Sequence, residues 1–189
     1  MKKVLLIPVL LLMCCFVAIA QEKPKEKPAK ATVASVLERQ LANLEKELVS
    51  LAEAMPEDKF EFAPTDGEFK GVRTFGTQVR HIAAQNTLIA AALLGEKEPF
   101  DSKLDNGPEN IKTREESLKY LKDSFVQAHK AIATINQKNA TEMVRDPWSP
   151  EKKRPRLDLG TIINWHSYDH YGQMVVYLRM NGVVPPASR

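Results

Sequence analysis

Asn164-Trp165-His166-Ser167-Tyr168-Asp169-His170-Tyr171-Gly172-Gln173 is the stretch whose reading decides the fold. Around it Leu159, Ile162, Ile163, Met174, Val175 and Leu178 recur at helical spacing, so the segment reads as one amphipathic helix. His166 and His170, four apart, then project from a single helix face. That separation is about 6 Å along the axis, close enough for two ring nitrogens at about 2.1 Å each to share one ion. Two ligands do not fix an ion, so a third has to come from elsewhere in the chain. Ser167 stands where the zinc-protease motif places its glutamate base, which excludes that motif.

Working outward, this fourth helix spans about residues 157–181 and is closed by Gly182 and Pro185-Pro186. Before it, residues 139–155 read as irregular, with Pro147, Pro150, Pro155 and Trp148. A third helix is expected over about residues 112–136, with Leu118, Leu121, Phe125, Ala128, Ile132 and Ile135 inward. The second runs from about Thr74 to Leu94, ended by Gly95. Leu37, Leu41, Leu44, Leu48 and Leu51 mark the first, with Ser35 as candidate N-cap, Glu38 completing a capping box, and Met55-Pro56 ending it. Residues 56–71 read as a loop whose rings Phe60, Phe62 and Phe69 fold back over the bundle end, and residues 96–110 as a long crossover or surface loop. Alternating strand patterns are absent. Four amphipathic helices with three connections predict an all-α four-helix bundle.

Bundle sites are built from inward side chains on facing helices. His81 lies within about 10 Å of the start of the second helix, and the pair lies about 13 to 20 Å into the fourth, so parallel second and fourth helices would bring all three to one depth. His129, late in the third helix, has no metal-competent companion on its face and reads as a surface or packing residue. Each histidine taken alone is equally compatible with a hydrogen-bonded core residue.

The order of motifs resembles the DinB/YfiT-like superfamily of metal-binding four-helix bundles. Met55-Pro56-Glu57-Asp58-Lys59-Phe60 leads into Pro64-Thr65-Asp66-Gly67; then come Thr74 to Ala83 around His81, and His166-x-x-x-His170-Tyr171-Gly172-Gln173. The resemblance spans roughly residues 33–185. It implies that His81, His166 and His170 bind a divalent metal. Tyr171 stands where many relatives carry a further histidine.

Three neutral imidazoles with an open position form the pattern of a catalytic site, and nitrogen ligands alone do not separate zinc, nickel and iron. Asp169 and Gln173 are the candidate catalytic helpers, Asp169 by holding a ring N–H or moving protons. Trp165, Tyr168 and Tyr171 are candidate pocket walls. The expected activity is metal-dependent hydrolysis of a small-molecule substrate. The alternatives are a non-catalytic bundle that binds a metal or small ligand, a homodimer formed through the aromatic residues, and a thiol-dependent transferase like some relatives.

Residues 1–20 read as an export signal: Lys2 and Lys3, an apolar run over residues 4–19, and small residues at Ala18 and Ala20. A lipoprotein reading through Cys14 or Cys15 is weaker, because Met13 and Cys14 precede them where a small residue belongs. Both cysteines lie in that segment, so the mature chain has neither disulfide nor thiolate ligand. Residues 21–31 alternate charge and proline and read as a solvated linker, leaving one domain over residues 32–186. Without Lys2 and Lys3, 25 basic residues face 24 acidic ones, which gives no electrostatic case for nucleic acid. The chain is expected to be exported to the periplasm or beyond, with no stable membrane anchor once the signal is removed. Export also argues against the transferase branch, since low-molecular-weight thiols belong mainly to the reducing cytosol.

Overall fold

A computed structural model of the chain describes residues 30–96 and 104–189. The expected export signal and most of the linker lie outside the described residues. The four helices are α1 (Val33–Ala54), α2 (Phe75–Leu94), α3 (Arg114–Ala133) and α4 (Arg156–Met180). Their apolar stripes meet in one core that includes Leu41, Leu44, Leu48, Phe75, Ile82, Leu121, Phe125, Ile163 and Leu178. Among the described residues no helix is long and apolar enough to cross a membrane.

The helix order around the bundle is α1, α3, α2, α4, so consecutive α1 and α2 sit on a diagonal. Side-chain bonds give the directions. Asn86 reaches Ser124 and Arg80 reaches Ser117, offsets of 38 and 37 residues that both run forward along the chain and make α2 and α3 parallel. Arg156 at the start of α4 donates to the Leu93 carbonyl at the end of α2, and Tyr177 near the end of α4 donates to the Arg73 carbonyl just before α2. The helices α2 and α4 are therefore antiparallel. The parallel arrangement expected from equal depths does not hold, because α4 overhangs the start of α2 by more than a turn and so levels the three histidines by another route.

Local signals set the ends. The cap of α1 is Thr32, three residues before the expected Ser35. Thr32 Oγ1 accepts from the Ser35 N–H and Ser35 Oγ accepts from the Thr32 N–H, so the reciprocal capping partner is Ser35 and not Glu38. Thr113 and Glu116 make the same box for α3. The first N–H groups of α2 are satisfied by the preceding loop, Phe75 donating to the Phe62 carbonyl and Gly76 to that of Phe60. Phe60 packs edge-on against Phe75 and Phe62 against Tyr177, as a folded-back loop requires, whereas Phe69 stays exposed. Gly160 permits close approach of α4: a Cβ there would lie 2.8 Å from Ile135 Cδ1 and 3.1 Å from Leu37 Cδ1.

The stretch before α4 corrects the expectation of no strands. β1 (Met143–Arg145) and β2 (Lys153–Pro155) pair antiparallel, Val144 opposite Arg154. Strands this short leave no periodicity to read. The buried Asp146 at the hairpin tip accepts from the N–H groups of Trp148 and Ser149 and from Arg154 Nε at 2.6 Å. Burial alone would raise its pKa; these donors hold it below the ordinary carboxylate value. The turn so fixed aims Trp148 at α2.

Candidate metal centre

Three side chains from two helices converge between α2 and α4. His81 and His170 are buried and His166 is half-buried, with ring centroids 4.8 to 5.0 Å apart pairwise. One ligand nitrogen from each lies within 4.8 Å of the other two. His81 Nε2 and His166 Nε2 are 3.1 Å apart. Two nitrogens each about 2.1 Å from one ion, at angles of about 90 to 110°, stand about 3.0 to 3.4 Å apart, so the observed spacing fits a shared ion.

The outer nitrogens explain why the inner ones face each other. His81 Nδ1 is 2.6 Å from the Asp105 carbonyl oxygen, which can only accept, so Nδ1 carries the proton and Nε2 presents its lone pair. His170 Nδ1 donates to Gln78 Oε1 at 3.2 Å with the same result. His166 Nδ1 is buried without a partner. Burial drives all three imidazoles towards the neutral, metal-competent form. It is the first cause for His81, with the nearby Arg73 charge adding to it against the Asp105 carbonyl. Burial and the neighbouring His81 lower His166 to about 4; burial and then His166 lower His170 to about 3.

Asp105 ties the surroundings together. Its Oδ2 accepts from Arg73 Nη2 at 2.6 Å and its Oδ1 from Gln85 Nε2 at 3.0 Å, while Gln85 Oε1 accepts from Trp148 Nε1 at 2.8 Å. An open cleft of about 370 Å³ lies over His81 and His166, walled by Gln85, Asp105, Trp148, Arg154, Ile162 and Trp165. A second cleft reaches His170 beside Arg73, Asn106 and Gln173.

Sequence reasoning named the three histidines and missed what orients them. Asp169 is exposed and accepts from Gln173 at 3.1 Å; the ring N–H groups of His81 and His170 are held by Asp105 and Gln78 instead. Gln78 carries a usable signal, one turn before His81 on the same face. Asp105, in an aperiodic loop, carries none. His129 stands apart, its Nδ1 2.6 Å from Glu38 and its Nε2 2.9 Å from Glu45 of α1.

The fold and this cluster define a class: an antiparallel helix pair inside a four-helix bundle, presenting imidazoles to an open cleft. The sequence model of the DinB superfamily matches residues 40–174, and the chain belongs to that superfamily. A DinB-like protein from Bacillus cereus ATCC 10987 has a similar structure, with TM-score 0.64 and 14% identity, covering 82% of this chain and 96% of that one. YfiT from Bacillus subtilis, described as "a probable metal-dependent hydrolase with an unusual four-helix bundle topology", matches with TM-score 0.59 and 21% identity over 87% of this chain and 96% of its own. At these identities the likeness is one of fold. No curated protein sequence matches significantly.

Proposed function

We propose that this chain is an exported divalent-metal hydrolase whose ion is held by His81, His166 and His170, and whose small substrate enters the cleft between Trp148 and Trp165. The observation that carries the reading is the 3.1 Å approach of two Nε2 atoms whose rings burial keeps neutral. An ion with three imidazole ligands and an open position supplies Lewis acidity and a lowered pKa for water. The chain's own residues do the rest. Asp105 and Gln78 fix the tautomers of His81 and His170, so no proton has to leave these two rings before they ligate. Trp148, Ile162 and Trp165 supply apolar walls against which the carbon skeleton of a small substrate packs. Asp169, which accepts from Gln173, is the candidate for handling protons, and Gln173, beside His170 in the second cleft, is the candidate for hydrogen-bonding a substrate. Zinc, nickel and iron all suit these ligands. Export rests on the sequence of residues 1–20.

The test is elemental analysis of the purified protein beside His166→Ala, followed by an esterase, amidase and phosphatase panel. One equivalent of a divalent metal, lost in the variant together with turnover, supports the proposal. Equal metal in both proteins ends the metal reading; metal lost with no turnover in either leaves a binding protein and rejects the hydrolase.

A further inference from the structure

A third groove, between α1 and α4, has a different chemistry from the two histidine clefts. Gln40 and Asn43 from α1 and Thr161, Asn164, Trp165 and Tyr168 from α4 line about 400 Å³, within the roughly 300 to 1,000 Å³ of small-molecule sites. None of the six is ionised, although 27% of the chain is Asp, Glu, Lys or Arg. A carboxylate outside the lining, Glu47, acts on the Tyr168 hydroxyl at one end. Trp165 is 59% exposed, more than any other large hydrophobic side chain among the described residues, and Tyr168 is 39% exposed. Asn164 is buried in the groove wall, its Nδ2 bonded to the Gly160 carbonyl and its Oδ1 without a partner.

These features select a ligand by exclusion and by fit. An anion finds no cation in this lining. A peptide strand finds no free backbone edge, because both walls are helices whose main-chain groups are internally bonded. A neutral sugar fits: one face of a pyranose is a flat array of C–H groups suited to an indole, and its rim of hydroxyls suits the exposed Gln40 and Asn43 carboxamides of the facing helix.

We propose that the groove between α1 and α4 is a saccharide site, in which a neutral pyranose stacks on Trp165 and is hydrogen-bonded by Gln40 and Asn43. Trp165 also walls the cleft over His81 and His166, its ring centroid 6.2 Å from that of His166. A glycan seated on Trp165 therefore extends naturally towards the histidines. That extension rests on the metal-hydrolase reading; binding in the groove does not.

The protein has two tryptophans, so Trp148→Phe leaves Trp165 as the fluorescent reporter. This variant is titrated with short neutral oligosaccharides built on glucose and on N-acetylglucosamine, and with an uncharged alanine peptide. A saturable change in Trp165 emission with sugar, at about millimolar Kd or tighter, is expected. Calorimetry should show binding weakened at least about tenfold by Trp165→Ala and less by Gln40→Ala or Asn43→Ala, each with the wild-type helical circular dichroism. Wild type stripped of metal by dialysis against chelator should bind sugar like the untreated protein, which separates failure here from failure of the metal reading. The proposal is overturned by three results: no response to any sugar in a folded protein, a response to the peptide alone, or an emission change on dilution that tracks monomer mass in ultracentrifugation. The last would mean that a second copy covers the groove.

Discussion

Two histidine environments in this bundle use the same side chain in opposite ways. Between α2 and α4, three imidazoles face one another with no carboxylate among the ligand nitrogens, and burial keeps them neutral. Between α1 and α3, His129 faces Glu38 and Glu45 with both nitrogens. Both of its ring nitrogens are taken up by side chains of α1, so neither is left to face an ion. Nitrogens that converge on one another make a place for a cation; nitrogens that each reach a side chain of a neighbouring helix tie two helices together. Neighbours, and not the residue type, separate a candidate ligand from a helix staple.

Removing either element tests that contrast, and the largest effect is expected at the triad. Replacing His81, His166 or His170 by Ala should abolish stoichiometric metal uptake, while His129→Ala should keep it, read by elemental analysis after dialysis. Chelator should lower the melting temperature of wild type and not of the triad variants, because a ligand bound only by the folded state stabilises it by mass action.

Next in size is the pH response of the metal-free protein. The folded-state pKa values of the three rings lie below the usual histidine value, so in the acid range the unfolded chain binds more protons. Their contribution is full above about pH 6.5 and is lost as pH falls towards the values near 4 and 3 of His166 and His170. Urea midpoints measured from pH 7 to pH 4 should fall steeply in wild type and less steeply in His166→Gln. An unchanged slope would mean that the rings are not held neutral.

A smaller effect is expected one layer out. Gln78→Leu removes the acceptor that fixes the His170 tautomer and should weaken metal binding about tenfold with little change in the fold, measured by competition with a chromogenic chelator. The least is expected at the staple: His129→Gln should cost no more than about 1 kcal/mol in urea, because Glu38 and Glu45 are part-exposed and such pairs are screened.

Legibility differed by element for physical reasons. The leucines of α1 and the stripe of α2 repeat over several turns, and periodicity that long survives any tertiary detail. The three residues of each strand in the hairpin repeat over nothing, yet that hairpin sets Trp148 against Gln85. The histidine pair was readable because both members sit on one helix. The partner that orients His81 was not, because Asp105 reaches that ring from a segment whose path no local pattern records.

The sequence alone determined the four helices, the apolar faces that force them into a bundle, and the pairing of His166 with His170, since each depends on residues a few positions apart. Tertiary structure decided the antiparallel course of α2 and α4, the meeting of His81 with the pair, and the tautomers that Asp105 and Gln78 impose. Those depend on how one helix end overhangs another and on which loop atom falls within hydrogen-bond reach. Such distances are set only when the whole core closes.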